Sequence, residues 1–190
     1  MNPLATIAAM LITPVGIALR GRRAGIERSI ANRPQLVPTS ESAIQLTSTS
    51  FRPDGEFPLR HAGRWYGDNV SPQLAWTRPP VRTKSLLVVI EDVDVPLKEP
   101  LIHLAALLDP TLRTVSEGEL NRRKTAPGVK LLDPRGYQGP AALPGHGEHR
   151  YVFHLFALDK VPTGDTLTRA IDSAAGHVIS RGELTGTFRG

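Results

Sequence analysis

The run RYVFHLFAL at residues 150–158 constrains this chain more than any other stretch. Aromatic and β-branched side chains at this density suit a pleated surface, so the run reads as a strand. Before it, from Asp133, comes DPRGYQGPAALPGHGEH, whose Gly and Pro content predicts a loop of special backbone angles with N–H groups left free. Alternate residues of a strand share a face, so His149 and Tyr151 are expected side by side where this loop meets the sheet, next to Gly139 and Pro140. A polar pair beside backbone donors suits an anionic ligand.

A second stretch, KSLLVVIEDVDVPLKEPLIHLAALLDP from Lys84, complements the first. Ser85 to Ile90 is a continuous apolar run of strand length, expected to be buried on both faces. Asp92 and Asp94 share one face at its end, where Pro96 turns the chain, and Leu101 to Leu108 is a further strand carrying His103.

The remaining pattern is of short strands and turns. Ala43 to Phe51 alternates as a first strand, NVSPQLAW leads into a short one ending at Trp76, and GELTGTF closes the chain as another. Between Thr166 and Ile179 the apolar residues fall on one helical face, with Asp165 at the N-cap position. The expected fold is mainly β, an antiparallel β-sandwich with one late helix and an N-terminal helical extension.

Residues 1–38 differ from the rest. Leu4 to Leu19 is apolar and is followed by Arg20, Arg22 and Arg23, which predicts a helix packed on the domain or on a partner subunit. The run is shorter than the roughly 20 residues a membrane span needs, so the membrane expectation is limited to weak peripheral association through residues 1–38. Pro34 and Pro38 mark Asn32 to Ser40 as a linker, which divides the chain into an extension, 1–38, and a domain, 39–190. A homodimer through the apolar N-terminus and a cytoplasmic location complete this reading.

Composition excludes some chemistries. The chain has no cysteine, so disulfides, thiolate nucleophiles and thiolate metal sites are ruled out. A net charge of +5 favours acidic partners, yet aromatics make up only 5% and no basic cluster is interleaved with them, which argues against nucleic acid. Arg122, Arg123 and Lys124 form a short basic run that reads as a solvated loop.

In order, GRWYGDNVSPQLAW, EDVDVP, IHL, GYQGP and GHGEHRYVFHLFALD resemble the phosphatidylethanolamine-binding protein family in its bacterial Raf-kinase-inhibitor-like branch, over roughly Ile44 to Phe188. The resemblance implies a pocket made of Asp92, His103, His149 and Tyr151, with Gly139 and Pro140 as the adjacent loop, Pro96 at the rim and Asp94 within reach of an amine. Val93 stands where the family has proline between the two acids, Leu104 where it has tryptophan, and Ala141 to Leu143 interrupt its proline-rich run. The implied function is non-catalytic binding of a phosphate-type anion, a phospholipid head group or a phosphorylated ligand. Such binding is expected to be tightest where His103 or His149 is protonated.

Two other readings use the same residues. The resemblance also implies inhibition of a kinase or protease by direct association. A hydrolase could draw on the Asp and His residues with Ser71 or Ser180 as nucleophile, but there is no GxSxG. His146, Glu148 and His149 lack HExxH geometry. No catalytic residue, metal or cofactor is therefore expected, and His146 reads as a loop residue at the pocket mouth.

Overall fold

The computed structural model describes residues 3–39 and 43–190, with side chains from residue 11 onward. Its elements are α1 (Pro3–Leu19), β1 (Leu46–Thr47), β2 (Leu74–Trp76), β3 (Ser85–Asp92), β4 (Leu101–Leu108), β5 (Thr114–Val115), β6 (Val129–Leu131), β7 (Glu148–Leu158), α2 (Leu167–Ala174) and β8 (Val178–Arg189). They form two antiparallel sheets, a larger one in the order β6-β4-β3-β7-β8 and a smaller one in the order β1-β2-β5. The mainly β sandwich with a late helix and an N-terminal helix is the architecture expected from the pattern.

Every residue of β3 is buried, and the two-residue period of the strand decides where each goes. Leu86, Val88 and Ile90 pack with Leu104, Phe153 and Leu155 against Leu46, Leu74 and Trp76 of the small sheet. Leu87 and Val89 face the opposite way, into a second core with Phe156, Ile171 and Ala174 of α2. Ile30 and Leu36 complete this second core, so residues grouped by sequence with the extension fill a face of the large sheet. Each such side chain removed from water contributes about 1.5–3 kcal/mol.

A buried polar knot anchors that segment. The hydroxyl of Ser29 donates to the Glu91 carboxylate, Ile30 N donates to the same group at 3.1 Å, and His154 Nε2 lies 2.8 Å from it. Each partner is almost fully buried, and an unpaired carboxylate there would be costly. Between Pro34 and Leu36, within the stretch read as a linker, the chain makes one 3₁₀ turn.

Several boundaries differ from expectation. The helix of the C-terminal region begins after Thr166, whose side chain accepts from Arg169 N; Asp165 instead pairs with Arg169 at 3.2 Å. Thr166 has the extended backbone a cap needs. The last strand starts at Val178 rather than Gly182, because Leu158 of β7 pairs with it. The expectation that residues 1–38 associate with a membrane is overturned: among the described residues no helix is long and apolar enough to cross one. The 17-residue α1 carries Pro14 inside it and ends at Leu19.

Candidate functional site

The loop after β6, the end of β3 and the starts of β4 and β7 meet at one end of the large sheet. Asp92 is paired with Tyr151 across the sheet, so strand register alone puts both at the same level. Where β3 pairs with β4 the register slips: Ile90 faces Leu104 and Glu91 faces Ile102, leaving His103 as an extra residue. A bulge of this kind re-aims one side chain and frees its backbone from the ladder. His103 O accepts from Gln138 N at 2.8 Å, and His103 Nδ1 lies 2.7 Å from Gln138 O.

A carbonyl can only accept, so Nδ1 carries the proton and Nε2 of the neutral ring presents a lone pair. That Nε2 is buried without a hydrogen-bond partner. Burial pushes the imidazole below its ordinary pKa, opposed by the nearby Asp92 charge and the Gln138 carbonyl. The ring meets Tyr151 edge to face at 5.1 Å. Burial, and then Asp92, hold the Tyr151 phenol far above its ordinary value, so its hydroxyl remains a donor.

His149 is placed differently from expectation. Its Nδ1 lies 2.8 Å from Asp92 Oδ2, while its Nε2 is 2.7 Å from His146 Nδ1. The Nε2 of His146 in turn lies 2.9 Å from Leu19 O and 3.0 Å from Arg22 O. With acceptor carbonyls at one end and a carboxylate at the other, the chain of bonds is complete only when three protons are shared among Asp92 and the two rings. His149 thus has no free nitrogen, and His146 is a buried partner of the N-terminal segment rather than a feature of the pocket mouth.

Two of the loop donors expected from the glycines are engaged, that of Gly136 with Asp133 O at 3.0 Å and that of Gly139 with the Asn69 side chain. Gly139 N donates to Asn69 Oδ1 at 2.7 Å, and Gly63 N donates to Pro140 O at 2.8 Å. A Cβ on Gly139 would strike His61 O and come within 2.6 Å of Gly63 N, which is why the position takes glycine. Ala141 N donates to the Tyr151 hydroxyl over a long 3.2 Å. Asn69, at φ 57°, holds the loop with both ends of its amide, since Nδ2 donates to Tyr137 O. The asparagine of the GDN turn carries the one local signal that could have revealed it, tolerance of a left-handed backbone.

Asp94 is committed to structure. It accepts from Arg150 N, Nε and Nη2 at 2.8–2.9 Å and pairs with Arg23 at 3.0 Å. Burial raises its pKa, but the arginine hydrogen bonds outweigh this and hold it down to about 2. No carboxylate oxygen there is left unbonded for an amine. Val93, in the proline position, donates to Arg150 O and accepts from Gly25 N, while Ala24 N donates to Val95 O. Residues 24–25 therefore run as a cover along the acidic loop; a proline at 93 would keep the carbonyl that Gly25 uses but lose the N–H bonded to Arg150 O.

A cleft of about 1040 Å³ opens onto this region, with His103, Gly139 and Ala141 on its wall. Asp92, His149 and Tyr151 are buried and join it through the His103–Tyr151 contact. Pro96 is half-buried and does not line the cleft. Ser71 is fully buried, with its hydroxyl accepting from Leu120 N. Among the described residues no group of three His, Asp or Glu side chains is arranged to hold a metal ion.

Residues 47–189 match the phosphatidylethanolamine-binding protein family. The chain is 31% identical to a UPF0098 protein of Chlamydia trachomatis over 76% of its length and 98% of that protein, and 29% identical to one from Methanothermobacter thermautotrophicus over 77% and 99%. The crystal structure of a putative phosphatidylethanolamine-binding protein homolog from Chlamydia trachomatis superposes with a TM-score of 0.66 at 28% identity, covering 77% of this chain and 97% of that one. Escherichia coli YbcL, at 22% identity, shares the fold with a TM-score of 0.69, covering 77% of this chain and 98% of its own.

Proposed function

This chain belongs to the phosphatidylethanolamine-binding protein family, whose members are typically non-catalytic, and from that premise we propose that it binds a phosphate-type anion at the pocket of Asp92, His103, His149 and Tyr151. The observation that carries this reading is the partnerless Nε2 of His103, buried on the wall of an open cleft. Buried polar atoms are nearly always bonded, so an orphan at a bulge marks a place for a ligand. The neutral ring accepts a proton-bearing phosphate oxygen, or the ring takes up a proton as the anion arrives and then donates. Ala141 N–H becomes available as a donor by giving up its long bond to the Tyr151 hydroxyl, whose oxygen accepts there. The other residues act by support: Asp92 orients His149, and Asn69 holds the loop at Gly139.

Both routes carry the same sign with pH. A phosphate ester loses its second proton near pH 6, and burial already disfavours the cationic ring. Affinity therefore falls as pH rises. We expect inorganic phosphate and phosphoethanolamine to shift the His103 ring signals in NMR saturably, with affinity dropping between about pH 5.5 and 8. The accompanying shifts of the neighbouring Tyr151 ring and Ala141 amide signals are lost in His103→Gln. A His103 signal that stays still at every pH would remove the proposal.

A further inference from the structure

The cleft is far larger than a phosphate needs, and its far wall is charged. Six cations line it against two carboxylates, Asp68 and Glu117. Arg60 is paired with Glu117 at 2.9 Å and Arg135 with Asp133 at 2.6 Å. Arg64, Arg122, Arg123 and Lys124 are exposed and pair with no carboxylate among the described residues. The basic run read from sequence as a solvated loop thus shares a wall with His103, whose Nε2 is buried behind it.

The backbone holds the two together. Asn121 Nδ2 donates to Asn69 O at 2.8 Å, and Asn121 Oδ1 accepts from Ser71 N at 2.8 Å. Asn69 is the same residue whose side chain holds Gly139 beside His103. Tyr137 N donates to Leu120 O at 3.0 Å, and a Cβ on Gly136 would approach Arg122 N to 2.6 Å, so the turn and the pocket loop are packed backbone to backbone. Arg122 follows directly on a residue bonded into the pocket scaffold.

We propose that this basic wall is a second anion subsite continuous with the His103 pocket, and that the ligand is a small molecule with two linked anionic groups, a diphosphate being the minimal member. The inference rests on the anion-pocket reading above and adds to it the ligand's second charge. One group sits at His103; the other is held by Arg122, Arg123, Lys124 and Arg64. Exposed ammonium and guanidinium groups bind anions through charge-assisted hydrogen bonds, and here four are held on one concave wall with no competing partner. Trp65, exposed on the same wall, reports occupancy by fluorescence, whereas Trp76 is buried in the sandwich.

The test is calorimetric titration with inorganic phosphate and with pyrophosphate, alongside Trp65 fluorescence. It uses the full chain, Arg122→Ala/Arg123→Ala, His103→Gln, and a control double variant at exposed cations outside the cleft, Arg33→Ala/Arg82→Ala. We expect pyrophosphate to bind at least about tenfold tighter than phosphate, the factor that one added charged hydrogen bond supplies. The cleft variant should remove most of the advantage of pyrophosphate over phosphate, and the control variant should change neither affinity. Equal affinities for the two probes, with phosphate still bound at His103, overturn the second subsite and leave the anion pocket standing. Binding of neither probe removes both readings. Tight pyrophosphate binding that persists in the cleft variant, or that ignores His103→Gln, overturns the bridge between the two sites.

Discussion

Asp94 and His146 are the two residues whose roles are most at odds with their surroundings in sequence. With Arg150 and Arg23 holding Asp94 down to about 2, its contribution to stability is complete above the ordinary carboxylate range and is lost as pH falls from about 4 toward 2. Urea unfolding of Asp94→Asn should therefore show lower stability than the parent at neutral pH and a flatter pH dependence in that window. His146→Ala removes the bonds to His149, Leu19 and Arg22, and should cost about 1–3 kcal/mol in the same measurement. It should also move the His149 ring signals by freeing Nε2. Asp92, His103, His149 and Tyr151 are legible in the sequence because strand alternation places acids and rings at strand ends, and the motif order identifies them. His146 is not legible as a buried relay, since its partners are main-chain carbonyls of Leu19 and Arg22, a contact no local pattern encodes. The bulge at His103 is equally silent, because an apolar strand with one extra residue reads like a regular one.

Among the elements, α1 approaches the body closely at Gly16. A Cβ on Gly16 would run into Pro144 O and approach His146 N to 2.8 Å, while Arg20 Nε donates to Gly145 O at 2.6 Å just beyond it. Leu11, Val15 and Ile17 remain exposed, so among the described side chains, from residue 11 on, little apolar area secures the helix. Gly16→Val should detach α1 and speed hydrogen exchange in residues 11–23 and 143–147, and lower the thermal midpoint by a few degrees as the Leu19 and Arg22 bonds to His146 loosen. The strands of the large sheet are legible from their apolar runs. Those of the small sheet are less so: the alternating stretch from Ala43 bridges Arg181 of the large sheet at Ala43 and joins the small sheet at Leu46–Thr47, beyond which Ser48 Oγ and Thr49 N bond to Gln73 instead of continuing the ladder. Side chains that capture backbone partners shorten a strand without disturbing its pattern.

For the molecule as a whole, two deletions that look alike in sequence should behave differently. Removing residues 1–18 takes away most of α1 and should leave a cooperative unfolding transition. Removing residues 1–36 strips Ile30 and Leu36 from the second core and Ser29 from the buried Glu91, and should abolish cooperative unfolding by calorimetry. Leu36→Ala alone is expected to cost about 2–5 kcal/mol. The second core also has a bearing on synthesis. Ile30 and Leu36 leave the ribosome long before Phe156, Ile171 and Val178, the residues they are buried with. At roughly 5–20 residues per second, that wait is on the order of ten seconds. During this interval the earliest part of the large-sheet packing is exposed to chaperones and to other nascent chains, so translation speed, and not sequence alone, sets how much of this protein reaches its folded state.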